Sequence, residues 1–186
     1  MLNRTLLRVI ADLERNAIDY AVIGAVALNQ HGYKRFTEDI DILMTKEGLK
    51  KFQEQLVGLG FRPAYQGATN RFKTTAENVS IEVVTTGEYP GDGLPTPVVF
   101  PDPSQSFQEI DGVRTITLEK LIELKLASGM TAPDRLKDLA DVQEMIKIKG
   151  LGSEFAESLD ESVREKFHEL QQAIVRARAR ERGLEP

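Results

Sequence analysis

The sequence contains no cysteine and only two histidines in 186 residues. The absence of cysteine excludes a disulfide framework, a catalytic thiol and a cysteine-ligated zinc site. The two histidines, His31 and His168, are each too isolated in the sequence to indicate histidine catalysis or a histidine metal site. Thiol and imidazole chemistry therefore do not explain what this chain does.

The chain also lacks an excess of positive charge, because its formal net charge is −5. A dedicated nucleic-acid-binding protein usually carries a basic surface, so the composition argues against that class and leaves room only for local basic patches. The first residues place Leu2, Leu6 and Leu13 among Arg4 and Arg8. That pattern predicts an amphipathic helix and neither a signal peptide nor a membrane span, so we expect a cytoplasmic protein with no membrane partner.

The most informative feature present is a short acidic segment, in which Asp39 and Asp41 alternate with Ile40 and Ile42. The alternation predicts a β-strand with one polar and one apolar face, which puts both carboxylates on one side about 7 Å apart at Cα. Two carboxylates this close repel each other unless a cation lies between them. One interpretation is a site for a hard divalent cation such as Mg²⁺, and the other is an acidic strand edge open to water.

The residues before this strand predict an anion site. Residues 20–23 form an apolar predicted strand, Gly24 and Ala25 open a predicted helix over residues 26–31, and Gly32 ends it. A glycine turn that leads into a helix leaves backbone N–H groups free to bind a phosphate. A phosphate site close to a carboxylate pair suggests a nucleoside triphosphate with its divalent cation.

One string of this sequence resembles the signature of the DNA polymerase β-type nucleotidyltransferase superfamily, and in particular its small bacterial AbiEii-type toxin group. The string comprises Gly24, Ala25, His31, Gly32, Arg35, Thr37, Asp39, Asp41, Ile42 and Leu43. In the superfamily the glycine turn is followed by a helix and then by Asp-x-Asp, and Ala25 stands where a glycine or serine is usual. The resemblance covers residues 17–147. It implies an α/β (α+β) fold with a small mixed β-sheet flanked by helices.

The resemblance also implies the site residues. A third carboxylate is expected from a later strand, and Glu82 stands in the predicted strand over residues 79–84; from the residues alone, Glu82 could also face water or pair with Lys73. Asp39, Asp41 and Glu82 would hold two Mg²⁺ or Mn²⁺ ions and act as catalytic residues. Gly24 and Ala25 would seat the phosphates of a nucleoside triphosphate such as ATP. The remaining expected nucleotide contacts are Arg35, Thr37, Lys125, Lys137 and Asp138.

Lys125 lies on the apolar face of a helix predicted to start after Thr117. A buried ammonium group needs an anionic partner or a lowered pKa. A structural ion pair with Asp138 or Asp141, or a side chain that extends outward along its stem, would satisfy it, whereas the resemblance implies a phosphate contact. Lys137 and Asp138 fall in the next predicted helix, which runs from residue 132 to 147 and resembles a charged helix that faces the cleft in this group.

Two further segments carry alternatives. Residues 87–106 are rich in glycine and proline and form either a lid or substrate-facing wall, or a packed surface loop. The predicted helix over residues 160–182 ends in alternating arginines, which favour a solvated helix end, with RNA contact as the alternative. We predict two domains: a nucleotidyltransferase-like domain over residues 1–150 and a C-terminal helical extension over residues 151–186.

The sequence therefore predicts an enzyme that moves a nucleoside monophosphate from a nucleoside triphosphate to an acceptor hydroxyl. The acceptor stays open among a tRNA end, a small molecule and a protein side chain. As a toxin-like enzyme the chain would have an antitoxin-like protein partner. The alternative is a non-catalytic nucleotide- or metal-binding protein on the same scaffold.

Overall fold

The computed structural model describes residues 2–181, which form two compact units. The first unit comprises residues 2–88 and 100–117, and the second comprises residues 89–99 and 118–181. The predicted division into functional domains over residues 1–150 and 151–186 stays a prediction. No helix in the described part of the chain is long and apolar enough to cross a membrane.

The first unit is a seven-stranded mixed sheet with three helices, which confirms the predicted fold class. The helices are α1 (Leu2–Arg15), α2 (Gly24–Gln30) and α3 (Lys46–Gln55). The strands are β1 (Tyr20–Ile23), β2 (Asp39–Met44), β3 (Phe61–Pro63), β4 (Arg71–Thr74), β5 (Ser80–Thr85), β6 (Phe107–Ile110) and β7 (Val113–Ile116). Their order in the sheet is β3-β4-β5-β2-β1-β7-β6. The pairs β2–β5 and β1–β7 are parallel, and the others are antiparallel.

The period-two pattern of β2 decides which face of the sheet is covered. Ile40 and Ile42 are fully buried, whereas Asp39 is exposed and Asp41 is half-buried. The apolar face joins one core cluster with residues of α1, α3, β4 and β5, and each isoleucine side chain buried there contributes about 1.5–3 kcal/mol. The core therefore fixes the register of β2 and leaves its two carboxylates on the opposite, open face.

The helix boundaries follow local signals in the first unit. The side chain of Thr45 accepts a hydrogen bond of 2.9 Å from the backbone N–H of Gly48 and thereby caps α3. Helix α2 begins at Gly24 and not at residue 26, so the predicted glycine turn is itself the first residue of the helix. Asp111 and Gly112, which both have positive φ, form the turn of the hairpin between β6 and β7.

The second unit contains helices α4 (Leu118–Thr131), α5 (Leu136–Lys149) and α6 (Glu161–Glu181), with 3-10 turns at Pro133–Arg135 and Ser153–Ser158. The helix predicted from residue 132 is thus delayed, because the residues around Pro133 form a 3-10 turn before α5. Residues 89–99 belong to this unit, and Gly91 lies against Ser128 and Thr131 of α4. That segment is packed, while a substrate-facing role for residues 87–106 stays a prediction. Arg182, the predicted end of the last helix, lies outside the described residues.

Candidate active site

Two rows of side chains cross the open face of the sheet in the first unit. The Asp41 row runs over β4, β5 and β2 and comprises Arg71, Glu82 and Asp41. The Asp39 row runs over β3, β4, β5 and β2 and comprises Arg62, Lys73, Ser80 and Asp39. Residues opposite one another on paired strands lie side by side on one face, with neighbouring strands about 4.8 Å apart. The predicted carboxylates Asp39, Asp41 and Glu82 are therefore neighbours on one surface.

Gly24 allows the carboxylate of Asp41 to lie against the start of α2. Ile23 at the end of β1 pairs with Asp41, and Gly24 follows it with a φ of 64°. A Cβ atom placed on Gly24 would lie 1.9 Å from Oδ2 of Asp41, which is a severe overlap. Both the left-handed backbone and this close approach require glycine. The glycine turn and the acidic strand, which the sequence separates by 17 residues, are therefore one site.

Glu82 is held by an arginine of the neighbouring strand. Its Oε1 lies 2.9 Å from an Nη atom of Arg71, and the two side chains are 41% and 54% exposed. The hydrogen bond and charge of Glu82 raise the pKa of Arg71, with a smaller contribution from Asp39. The predicted alternative of a pair with Lys73 is wrong, because the strand register sets Arg71 and not Lys73 opposite Glu82. Such an exposed pair contributes at most about 1 kcal/mol, so it can be broken readily.

The donor atoms of this face fit a hard divalent cation in their chemistry. Asp39, Asp41 and Glu82 supply oxygen ligands from neighbouring strands, and oxygen ligands are what Mg²⁺ and Mn²⁺ prefer. Within residues 2–181, however, no three or more side chains of histidine, cysteine, aspartate or glutamate are grouped closely enough to hold a metal ion. The two aspartates would hold the cation, and Glu82 would join them only after it leaves Arg71.

The loop that leads into β2 is fixed by side-chain to backbone hydrogen bonds. The Asn29 amide donates to the carbonyl oxygen of Arg35 over 2.8 Å and accepts from its N–H over 2.6 Å. The Thr37 hydroxyl donates to the carbonyl oxygen of Asp39 over 3.1 Å and accepts from its N–H over 3.2 Å. Asn29 and Thr37 therefore position the backbone on either side of the basic loop and set where Asp39 emerges.

Two of the charged residues predicted on the later helices, Lys125 and Asp138, form a closed network in the second unit. Lys125 Nζ lies 2.7 Å from Oδ1 of Asp138 and 2.8 Å from Oδ2 of Asp141, and these three side chains are only 5–10% exposed. The Ser128 hydroxyl donates to the second oxygen of Asp138 over 2.7 Å. The ion-pair alternative for Lys125 is therefore confirmed, and the phosphate contact stays a prediction. Lys137 is exposed on α5.

The pKa of Asp138 shows how completely this network is satisfied. Burial alone would raise the pKa of this carboxyl, but the charge and hydrogen bond of Lys125, the hydrogen bond of Ser128 and the charge of Arg135 together outweigh it. The pKa of Asp138 therefore lies below its ordinary value. The carboxylate is stabilised in its charged form even though water is largely excluded from it.

Three residues that shape these clusters were missed by the sequence reasoning: Asn29, Arg71 and Ser128. Arg71 was assigned to a strand but had no role, because the register of β4 on β5 is not visible in the sequence. Ser128 lies one helical turn after Lys125, which is a spacing that places both on one side of a helix. That spacing was the available signal for Ser128, and no comparable local signal marks Asn29.

The comparisons with known proteins agree with this geometry. A family model described as "Nucleotidyl transferase AbiEii toxin, Type IV TA system" matches residues 5–185. Among curated proteins, none matches the chain.

Solved structures share the fold at low sequence identity. The crystal structure of ANT(2")-Ia in complex with adenylyl-2"-tobramycin is similar with a TM-score of 0.57 and 16% identity, over 91% of this chain and 98% of the other. An antigenic nucleotidyltransferase-like protein from Paracoccidioides brasiliensis is similar with a TM-score of 0.52 and 17% identity, over 79% of this chain and 76% of the other. At these identities the likeness concerns the fold alone.

Proposed function

This chain belongs to the AbiEii family of nucleotidyltransferases, and we propose that it transfers a nucleoside monophosphate from a nucleoside triphosphate to an acceptor hydroxyl. The observation that carries the proposal is the contact between Gly24 and Asp41, where a Cβ atom would lie 1.9 Å from the carboxylate. It joins a glycine turn at a helix start to a strand that bears two carboxylates. Phosphates and a divalent cation are bound by those two kinds of group.

Each residue of the open face has a distinct task in this reaction. Asp39 and Asp41 hold the cation through their carboxylates, while Gly24 and Ala25 leave room for the phosphates beside Asp41. Arg35 adds positive charge where negative charge develops on the leaving group. Glu82, once released by Arg71, accepts the proton of the acceptor hydroxyl. Bound Mg²⁺ or Mn²⁺ would neutralise phosphate charge and lower the pKa of the acceptor hydroxyl, by a one- or two-ion arrangement.

The second unit adds charged residues whose role is proposed from family resemblance. Lys125, Lys137 and Asp138 would contribute to nucleotide binding, Lys125 through its ammonium group and Lys137 from the exposed surface of α5. The family description also names a type IV toxin–antitoxin system. We therefore propose a toxin-like enzyme in the cytoplasm, with an antitoxin-like protein partner and with tRNA as one candidate acceptor.

Pyrophosphate release tests the transfer directly. Each common nucleoside triphosphate is incubated with the protein and with Mg²⁺ or Mn²⁺, in the presence and absence of total tRNA. We expect release with at least one triphosphate, and we expect Asp39→Asn and Asp41→Asn to abolish it without unfolding the protein, because each removes a cation ligand on the exposed face of β2. Glu54→Gln is the matched control, since Glu54 is an exposed acid of α3, and α3 packs on the apolar face of the sheet through Phe52.

Removal of the cation is the second arm of the same experiment. Chelation of divalent ions is expected to stop pyrophosphate release and re-addition of Mg²⁺ or Mn²⁺ to restore it. An Asp41→Asn protein with wild-type turnover would contradict the mechanism.

The non-catalytic alternative has one observation in its favour, which is that Arg71 holds Glu82 away from a three-carboxylate arrangement. A protein of that kind would bind a nucleoside triphosphate in a metal-dependent way and release no pyrophosphate with any acceptor. Calorimetric binding measured beside the release assay separates the two functions.

A further inference from the structure

Helix α6 of the second unit presents a continuous exposed face on the side opposite to its buried one. Val163, Phe167, Leu170 and Ile174 are buried, and α6 packs against α4 and α5. At about 100° per residue, six exposed residues lie on the opposite side within an arc of about 100°. We call this side the outer face, and its residues are Glu161, Glu165, Glu169, Gln172, Arg176 and Arg180.

The charges of the outer face are separated along the helix. The first half carries three carboxylates, the centre carries the neutral Gln172, and the second half carries Arg176 and Arg180. Arg178 lies off this face, where its guanidinium donates to the carbonyl oxygen of Lys147 in α5 over 3.4 Å. The outer face is therefore acidic in one half and basic in the other.

Local helix electrostatics do not account for this separation. The helix dipole favours acids in the first turn and bases in the last turn, but Glu169 and Arg176 lie more than one turn from either end of α6. Pairing along a helix favours opposite charges four residues apart, and like charges at that spacing are destabilising. Glu165 with Glu169, and Arg176 with Arg180, place like charges at that spacing. The separation therefore destabilises the isolated helix and requires a partner outside it.

The contacts that these side chains make within α6 are weak. Glu169 pairs with Lys166, but the Glu169 side chain is still 63% exposed. The Arg176 guanidinium donates to the side-chain oxygen of Gln172 over 3.3 Å. Exposed contacts of this kind contribute little to stability, so both side chains can exchange them for a partner across an interface.

A second copy of α6 matches the outer face when the two helices run antiparallel. In a two-fold symmetric pair, each contact occurs twice with the two residues exchanged between the copies. One register places Arg176 opposite Glu169 of the second copy, and the same register places Arg180 opposite Glu165 of the second copy. At the two-fold axis it places Gln172 opposite the small, exposed Ala173, which lets the helix axes approach to about 8–10 Å.

We propose that the outer face of α6 binds a second copy of this chain, with the two helices antiparallel and paired in this register. The inference does not depend on the proposed function. RNA would be attracted by the two arginines but repelled by the carboxylates of the same face, whereas a second copy uses both halves. Because the contacts are exposed ion pairs, the association is weak and decreases as the salt concentration rises.

Sedimentation equilibrium of the full chain tests the register with two double variants that both keep the net charge of the wild type. Glu169→Arg with Arg176→Glu exchanges the charges of one predicted pair, so the dissociation constant of the dimer should change by no more than about threefold. Glu165→Arg with Arg176→Glu makes the same kinds of substitution but sets like charges opposite each other in all four contacts. It should weaken dimerisation at least about tenfold, because each exposed pair contributes up to about fivefold.

Loss of folding would not explain such a difference between the variants. Both replace the like charges at residues 165 and 169, and at residues 176 and 180, by opposite charges. Circular dichroism should therefore show the same helix content in both.

A wild-type chain that stays monomeric up to millimolar concentration would overturn the proposal. Equal dissociation constants for the two double variants would overturn it as well, because the dimer would then form through another surface. RNA binding is measured on the same proteins by fluorescence anisotropy. A monomeric wild type whose RNA affinity falls equally in both variants would refute the pairing and assign Arg176 to RNA.

Discussion

The two units hold clusters of similar composition in opposite states. The first unit presents its carboxylates on an open sheet face, where Asp39 is exposed and the Glu82 side chain is 41% exposed. The second unit encloses Asp138 and Asp141 around Lys125, with side chains at most 10% exposed and both aspartates paired. Acidic residues thus serve two purposes in one chain, and exposure together with partners distinguishes them.

The difference follows from what surrounds each cluster. A buried charge must be matched inside the protein, because an unpaired one costs several kcal/mol, so the network around Lys125 holds α4 against α5. Carboxylates on an exposed face need no buried partner, because solvent screens their charge, and the free energy of their mutual repulsion is available to a cation that binds there. We therefore expect substitutions in the closed cluster to lower the stability of the protein, and substitutions on the open face to lower its activity.

Loss of Lys125 should produce the largest change in stability. In Lys125→Met, Asp138 and Asp141 lose their shared cation in a buried site, and we expect the free energy of unfolding to fall by about 3–5 kcal/mol. Urea denaturation measures the change, and failure of the variant to fold would be the same effect in full. Lys137→Met, which removes an exposed lysine of α5, should change the free energy of unfolding by no more than about 0.5 kcal/mol. Equal stability of the two variants would show that the cluster is not closed.

Substitutions at two glycines with positive φ, Gly24 and Gly112, test the open face. Gly24→Ala places a methyl group on the Asp41 carboxylate, so we expect about a hundredfold loss of pyrophosphate release because the ligand is displaced. Gly112 has a φ of 75° with no atom within 4 Å of a Cβ atom. Gly112→Ala therefore carries the same backbone strain of about 1–2 kcal/mol and should keep its activity. Equal activities of the two variants would remove the structural argument for the site.

Arg71 provides a further test of the comparison, because it pairs with Glu82 on the open face. Arg71→Gln releases Glu82, and we expect affinity for Mn²⁺ to rise up to about fivefold, which corresponds to the small worth of an exposed ion pair. Titration calorimetry on nucleotide-free protein measures it. Arg62→Gln removes a cation from the neighbouring row and should change the affinity less. A fall in Mn²⁺ affinity in Arg71→Gln would mean that Arg71 positions Glu82 for the metal.

The sequence was sufficient where function depends on local pattern. The alternation of Asp39 and Asp41 with buried isoleucines and the glycine turn at Gly24 both depend on residues close together in the chain. Strand pairing does not, because several registers satisfy the same alternation. Sequence reasoning therefore placed Lys73 beside Glu82 as an alternative, while the fold sets Arg71 there.

The sequence also left Lys125 between two interpretations. A lysine on an apolar helical face needs an anion, but its spacing does not say whether that anion is a side chain or a ligand. The fold supplies Asp138 and Asp141, whose approach to Lys125 is not fixed by local pattern, because α4 and α5 are joined by a connection with a 3-10 turn.

The pH dependence of stability gives the smallest expected effect and separates the clusters once more. Since the pKa of Asp138 is lowered in the folded protein, the folded state binds fewer protons than the unfolded state below about pH 5. The stability contributed by Asp138 is therefore complete above the pKa of the unfolded carboxyl and is lost as the pH falls through the folded pKa. We expect the stability difference between wild type and Asp138→Asn to be constant near neutral pH and to shrink in acid. Asp134→Asn, at an exposed aspartate, should differ little in stability from wild type at every pH. A stability difference for Asp138→Asn that persists in acid would show that the hydrogen bonds of Asp138, and not its charge, support the network.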